Sequence, residues 1–340
     1  MSDTQTAPET GPLIVIPTLN ESRHIADLLD LMVVEAEMLG GRIVVADGLS
    51  SDGTQEIVRR YADRHSCVTL VDNPQRIQSA ALNRAVTRFG DGRRYVIRVD
   101  AHGTYPTRFC RALIDQAEAT GADSVVVPLH TVGQSTFQRA VATAQNSLVG
   151  TGGSAHRTGK AGRWVEHGHH ALMRIEAFHA VGGYDETFRH NEDAELDFRL
   201  VEAGCRIWLT PQTHMIYYPR STAPALFRQY LGYGRGRAKN IFKHRSVPRL
   251  RQVMPVLVVP AVGLAALAAF NWLTIVPVAL WLIASISLGA LAAARHENYG
   301  LPLSRSPLVG VTAMIMHFAW SAGFWWHIAE TVMARRGRSA

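Results

Sequence analysis

The sequence predicts an α/β domain built on a parallel sheet, followed by a helical and strongly apolar C-terminal region. Three observations carry this. Short apolar runs alternate with amphipathic helical patterns from Leu13 onward. Each of three such runs ends on a polar, turn-rich segment that holds an acid. Uncharged stretches near membrane-spanning length then fill much of residues 253–329.

The first run, Leu13-Ile14-Val15-Ile16-Pro17, leads into Thr18-Leu19-Asn20-Glu21. Ser22 is placed to cap a helix with Ile25, Leu28, Leu29 and Met32 on one face. The second, Ile43-Val44-Val45-Ala46, leads into Asp47-Gly48-Leu49-Ser50-Ser51-Asp52-Gly53, and Thr54 opens a helix with Ile57, Val58 and Tyr61. The third, Tyr95-Val96-Ile97-Arg98-Val99, ends on Asp100-Ala101-His102. Parallel sheets bind ligands outside the carboxyl ends of their strands, so Glu21, Asp47 and Asp100 are expected to converge there. An Asp and a His two residues apart at a strand end can face one cation. Oxygen plus one nitrogen suits Mg²⁺ or Mn²⁺ beside a phosphate better than a closed zinc site.

The three cysteines, Cys67, Cys110 and Cys205, are scattered and read as reduced core thiols in a cytoplasmic domain. Residues 1–10 are polar and acidic, with no signal-peptide pattern, and are expected to be disordered. The net charge of +7 divides sharply. Residues 1–202 hold 20 Lys and Arg against 26 Asp and Glu, residues 203–251 hold 10 basic side chains and no acid, and residues 252–340 hold 5 and 2. A basic block immediately before an apolar tail fits an anionic membrane surface better than nucleic acid.

Three apolar segments follow: Val253 to Phe270, Thr274 to Ala294, and Leu308 to Ala329. A spanning helix needs about 20 apolar residues. The first segment is near the lower limit and contains Pro255 and Pro260, so it is expected to tilt, kink or re-enter. Trp272, Trp281, Trp320, Trp325 and Trp326 include candidate interface anchors. Arg245, Arg249 and Arg251 put the start of the first segment on the cytoplasmic side, while Arg335, Arg336 and Arg338 leave the number of crossings open.

Val15-Ile16-Pro17-Thr18-Leu19-Asn20-Glu21, Ala46-Asp47-Gly48 with Ser51-Asp52-Gly53-Thr54, and Asp100-Ala101-His102 resemble family 2 glycosyltransferases of the GT-A fold. The likeness is closer to the succinoglycan-type β-glucosyltransferases of bacterial exopolysaccharide assembly. These share the Asp-Ala-His form with Tyr105-Pro106 after it, Gly182-Gly183-Tyr184-Asp185-Glu186, and Asn191-x-Asp193-x-Glu195 followed by Arg199-Leu200. The resemblance implies a GT-A, Rossmann-like nucleotide-sugar-binding domain with a mixed, mostly parallel sheet over residues 11–225. A basic juxtamembrane segment (226–251), transmembrane helices (252–334) and a basic tail (335–340) complete the expected layout.

It further implies an inverting transfer of a sugar, with UDP-glucose as the indicated donor, onto a saccharide carried by polyprenyl diphosphate. The enzyme would lie in the cytoplasmic membrane with its catalytic domain on the cytoplasmic face, and a homo-oligomer is compatible with the sequence. Asp100 and His102 are the expected ligands of a divalent metal, Mg²⁺ or Mn²⁺, beside the donor. Pro17, Glu21 and Asp47 are expected to line the nucleotide pocket, with Asp52, Arg76 and Asn83 as further candidates. Asp52 reads equally well as part of a turn and helix cap. Asp193 is the expected general base and Glu192 the second candidate, although an acidic first turn also complements a helix dipole.

Gly162 to His170 is rich in possible ligands but matches no common closed zinc arrangement; by resemblance it lies at the sugar cleft, where Trp164 would stack on a sugar face. His156 to Lys160, near Gly150, Gly152 and Gly153, reads as a loop able to close over the donor. Arg228-Gln229-Tyr230 and Gly232-Tyr233-Gly234-Arg235-Gly236-Arg237 read as a glycine-loosened basic segment. Arg235 and Arg237 would meet pyrophosphate there, or lipid headgroups generally. The Gln-x-x-Arg-Trp motif of many processive relatives is missing, which implies addition of single sugars. The readings that compete with this one are a polyprenyl-phosphate hexose synthase and a catalytically silent nucleotide-sugar-binding membrane protein.

Overall fold

The computed structural model describes residues 11–152, 161–248, 250–295 and 301–336. The N-terminal residues read as disordered, the His156 to Lys160 loop and the end of the basic tail lie outside these. The chain forms two compact units, each assembled from two stretches of sequence. One comprises Met1–Leu129 and Gly159–Tyr217, the other His130–Thr158 and Tyr218–Ala340. The sequence suggested one uninterrupted domain to residue 225. The structure instead groups 130–158 with the C-terminal helices, because Ala140, Val141, Ala144 and Val149 are buried in one cluster with Val309, Ala313 and Met316.

The first unit is organised on an eight-stranded sheet in the order β3-β2-β1-β4-β8-β5-β9-β7. β1 (Leu13–Thr18), β2 (Arg42–Asp47), β3 (Val68–Asp72) and β4 (Tyr95–Arg98) are mutually parallel where they pair. β5 (Ser124–Val127) pairs parallel with β9 (Ile207–Leu209), while β8 (His169–Arg174) runs antiparallel between β4 and β5. β7 (Arg163–Val165) is an antiparallel edge on β9, and β10 (Met215–Tyr217) meets the Pro128 carbonyl through the Met215 amide. β6 (Leu129–Thr131) straddles the division between units. The sheet is therefore mixed and mostly parallel.

Its central strands read as unbroken apolar runs because both faces are covered. Ile14, Ile16, Ile43, Val45 and Ile97 are fully buried with Ile25, Leu29 and Met32 of α1 (Ile25–Leu39). The remaining helices of this unit are α2 (Thr54–Arg64), α3 (Gln78–Phe89), α4 (Phe109–Thr120), with α7 (Ile175–Ala180) and α8 (Glu192–Glu202) later in the chain. Thr54 opens α2 as expected, but Ser22 does not cap α1. The Ser22 amide donates to Asp52 Oδ2 at 3.0 Å, and the Glu21 carbonyl accepts from the His24 and Ile25 amides, which delays the helix to Ile25.

In the second unit, α5 (Thr136–Gln145) starts in a capping box made by Ser135 and Gln138 and is followed by α6 (Leu148–Thr151). After Tyr218 come α9 (Ala223–His244), α10 (Leu250–Val256), α11 (Val258–Ala265), α12 (Val276–Arg295) and α13 (Pro307–Arg336). The first apolar segment is thus two short helices rather than one spanning element. Among the described residues two helical stretches are long and apolar enough to cross a membrane, Trp272–Arg295 and Leu303–Ala334, with mean hydropathy 2.2 and 1.3. That is one fewer than the three apolar segments of the sequence.

The supposedly loosened 232–237 segment is continuous helix inside α9. Gly234 serves close packing, since a Cβ there would lie 2.0 Å from the Trp320 carbonyl oxygen, and Gly323 of α13 does the same from the other side, 2.0 Å from that of Leu231.

Candidate active site

At the carboxyl ends of β1 and β2 two loops close around Asp47. The Asp47 carboxylate is buried and accepts from the Thr18 hydroxyl (2.9 Å), the Ser50 amide and hydroxyl (2.8 and 2.6 Å) and Gln55 Nε2 (2.7 Å). It therefore locks the two strand ends together. Asn20 and Leu49 take positive φ (both 58°), with Asn20 Oδ1 accepting the Ser51 amide, so the two loops are cross-braced. Pro17 lies half-buried near the end of β1, and Glu21 follows it, with Oε1 3.2 Å from His102 Nδ1.

Asp100 ends the run that begins with β4. Its Oδ1 accepts from Gln78 Nε2 (2.7 Å) and Arg98 Nε (3.0 Å), and its own amide donates to the Tyr105 hydroxyl (2.7 Å). Burial alone would raise this carboxyl. The Arg98 guanidinium, helped by His169 and His102, outweighs it and holds Asp100 well below the usual carboxylate range. Asp193, in the first turn of α8, is joined to the same arginine: Arg98 Nη1 donates to Asp193 Oδ1 at 2.6 Å, and the Tyr184 hydroxyl donates there at 3.1 Å. Between the other oxygens sits His169, with Nε2 3.6 Å from Asp100 Oδ2 and Nδ1 3.9 Å from Asp193 Oδ2. Burial lowers the His169 imidazole to about 4, so it is neutral at pH 7. Glu192 has the opposite shift, pushed up to about 7 by burial and by the Asp193 charge.

A second acidic side chain of α8 faces the start of β8. Asp197 Oδ1 lies 2.8 Å from His170 Nε2, Oδ2 lies 2.5 Å from His167 Nδ1, and the Ser124 hydroxyl and His170 Nδ1 are 3.1 Å apart. The β5–β8 register shifts between Val125 and Val126, and such an irregularity re-aims side chains. The clustered histidines are thus divided, His169 lying between Asp100 and Asp193 while His167 and His170 face Asp197. Among the described residues no group of three or more His, Cys, Asp or Glu is arranged to hold a metal ion. Mg²⁺-type sites commonly use one or two protein ligands and fill the rest with substrate phosphates and water, so an ionised Asp100 and a half-exposed His102 are a fitting donor pair.

The profile of glycosyl transferase family 2 matches residues 13–182. The succinoglycan biosynthesis protein ExoA of Rhizobium meliloti (strain 1021) is 58% identical over 317 residues, 93% of this chain and 94% of that protein. The chain belongs to glycosyl transferase family 2. A more distant relative, the dolichyl-phosphate β-glucosyltransferase ALG5C of Trichomonas vaginalis, is 26% identical over 61% of this chain and 56% of its own length. Among solved structures, the mannosyltransferase PcManGT of Pyrobaculum calidifontis, in complex with GDP-Man and Mn²⁺, shares the fold. The two chains are 20% identical with a TM-score of 0.56, over 93% of this chain and 86% of that one. The first unit is accordingly GT-A-like.

In this family 2 glycosyltransferase several predicted site residues have other partners. Asp52 Oδ1 accepts from the Thr54 hydroxyl and amide (2.6 and 3.1 Å), the turn alternative without a helix cap, and Oδ2 accepts from the Ser22 amide of the β1 loop, so both oxygens are taken. The Thr54 bond, above all, depresses its pKa. Arg76 reaches the crevice, donating to the Gly48 and Leu49 carbonyls. Asn83 instead grips the Tyr184 backbone from both sides, accepting its amide and donating to its carbonyl, each at 2.8 Å. Trp164 stands on the edge strand β7, four strands from β4. The Arg206 guanidinium covers its ring at 3.7 Å, and Trp208 meets it edge-on. Arg235 belongs to the second unit and donates to both Glu330 carboxylate oxygens at 3.0 Å, beside the Trp326 ring. Sequence reasoning gave no role to Arg98, Tyr184 or Asp197, and named His169 only within the ligand-rich 162–170 stretch. The available signal was Arg98 itself, a full charge inside a buried apolar run, which requires partners.

Proposed function

We propose that this chain is an inverting, divalent-metal-dependent hexosyltransferase of exopolysaccharide assembly. It moves a sugar from a nucleotide diphosphate donor onto a saccharide carried by polyprenyl diphosphate. The observation that carries the reading is that one guanidinium, Arg98, touches both Asp100 on the donor side and Asp193 on the acceptor side. A donor-side carboxylate and a candidate base thus share one site. Glu21, Pro17 and Arg76 would meet the nucleoside, on loops that the buried Asp47 holds in place from beneath. Asp100 and His102 would hold the divalent cation, Mg²⁺ or Mn²⁺, which supplies charge neutralisation to the leaving diphosphate when bound. Asp193 accepts the proton of the acceptor hydroxyl, that oxygen attacks the anomeric carbon from the face opposite the diphosphate, and the sugar–phosphate bond breaks with inversion. The resemblance to succinoglycan-type enzymes points to UDP-glucose, and the Mn²⁺ and GDP-Man bound by PcManGT accord with a nucleotide-sugar donor and a divalent ion.

The second unit is the membrane anchor in this reading. Two long apolar helices expose Phe270, Leu280 and Ile283 at or near them, and the acid-free basic stretch 203–251 precedes them. The catalytic unit then faces the cytoplasm. The test is a screen of nucleotide sugars with membrane lipid extract as acceptor, reading released nucleoside diphosphate. Asp193→Asn should lower transfer by roughly 10²–10⁴-fold while UDP binding stays nearly constant. Full activity in that variant would favour a lipid phosphate as acceptor, which needs no deprotonation. Absence of turnover with tight UDP binding would favour a silent binding protein.

A further inference from the structure

Asp100 and Asp193 pose a problem of like charge. Their side chains are only 11% and 16% exposed, so two negative charges sit in one poorly solvated site and repel each other unless a cation lies between them. The structure resolves this with one side chain. Arg98 lies two residues before Asp100, so both project from the same face of the extended chain, and Arg98 is 7% exposed. Nε takes Asp100 Oδ1 and Nη1 takes Asp193 Oδ1. Tyr184 adds a second donor to that same Asp193 oxygen, and Tyr184 is itself fixed by Asn83 of α3.

Arg98 reaches both oxygens of Asp100, Nε to Oδ1 at 3.0 Å and Nη2 to Oδ2 at 3.4 Å, but only Oδ1 of Asp193. Asp193 Oδ2 faces His169 at 3.9 Å, beyond hydrogen-bond length. We propose that Arg98 is a positioning residue that couples the donor and acceptor halves of the site. It pins Asp193 Oδ1, leaving Oδ2 as the oxygen that takes the acceptor proton, and it balances the charge of Asp100 beside it. Only a planar fork reaches two carboxylates at once; an ammonium on a flexible stem satisfies one at a time. Because one guanidinium holds both carboxylates, any shift of Asp100 on the donor side also moves the hydrogen bond to Asp193, so occupancy of one half is felt in the other. This rests on Asp193 being the base, as proposed above.

The test is a double-mutant cycle on the full-length enzyme, with Arg98→Lys, Asp193→Asn and the pair, measured for transfer and for UDP binding. Arg98→Lys should lower kcat by roughly 10²-fold, the loss usual for one preorganised donor, and change UDP affinity much less. In the Asp193→Asn background the same change should cost almost nothing further, because residues acting as a unit are non-additive. Tyr184→Phe, which deletes only the hydroxyl on the same oxygen, should show a milder loss with the same non-additivity. It decides the matter if Arg98→Lys fails to fold. Losses that multiply in both cycles would overturn the coupling and leave the base assignment standing. A fully active Asp193→Asn enzyme would remove the base assignment, and this proposal with it.

Discussion

Asp197 lies one helical turn beyond Asp193 and takes no part in the proposed transfer, yet it is wholly buried between His170 and His167. Burial alone would raise its carboxyl, but His170, with the bonds from both imidazoles, holds it down at about 2. His170 is raised above 6.5: burial opposes its charge and Asp197 outweighs that. The signs follow directly. Asp197 contributes stability above its unfolded value of 3.8 that is lost as pH falls toward 2, on the order of 2 kcal/mol. His170 contributes stability below 6.5 that is lost as pH rises through its folded value. Asp197→Asn should therefore cost about 3–5 kcal/mol near pH 6, with the gap from wild type narrowing in both acid and alkali. Melting curves in detergent from pH 3 to 9 check this, and a gap independent of pH would refute it. None of this network was legible in the sequence. His167, His169 and His170 read as one cluster, and only the strand–helix packing reveals that His167 and His170 serve Asp197 while His169 sits between Asp100 and Asp193.

Glycine is where the elements of the second unit most depart from what local composition suggests. Three glycines within five residues of a basic stretch read as a flexible segment, but the surface that makes them useful belongs to α13, some 90 residues later. Gly234 faces the Trp320 carbonyl, whereas a Cβ at Gly263 of α11 would meet nothing within 4 Å. Gly234→Ala should thus separate α9 from α13 and lower stability by about 1–3 kcal/mol, despite a helix-propensity gain of up to about 1 kcal/mol. Gly263→Ala keeps only the gain. Thermal unfolding of both variants in detergent measures the contrast, and equal behaviour would mean the close approach carries no weight. β1, β2, β4, α1 and α2 are legible in the sequence for the converse reason. Their burial follows from their own periodicity, and the acids at their carboxyl ends mark the crevice without knowledge of distant partners. Arg98 needed α8 to be understood, as Asn83 needed the 182–188 loop.

At the scale of the whole chain, the second unit, the anchor of the proposal above, is not an appendage fused after residue 225. The stretch 130–158 leaves the sheet after β5 and contributes α5 and α6 to the second unit, before the chain returns for β7 and β8. Ala140, Val141, Ala144 and Val149 from that stretch and Leu226 of α9 are covered by Val309, Ala313 and Met316 of α13 and Ala293 of α12. The Thr312 hydroxyl reaches toward the Ala140 carbonyl (3.4 Å), and His317 Nε2 lies 2.7 Å from that of Val149, so polar groups close the same seam. A chain ending at Gln252 would retain every residue of the proposed active site and lose this cover. Its apolar α5 and α9 faces would open to water, at about 25 cal/mol for each Å² exposed. Such a truncation is therefore expected to aggregate or to require detergent, and to lose transfer activity although Asp100, Asp193 and Arg98 remain. Size-exclusion chromatography without detergent, with UDP binding measured on whatever elutes as monomer, decides the point. A monodisperse, UDP-binding fragment would show that α5 and α6 find adequate cover without α12 and α13, and the catalytic unit would then be separable from its anchor after all.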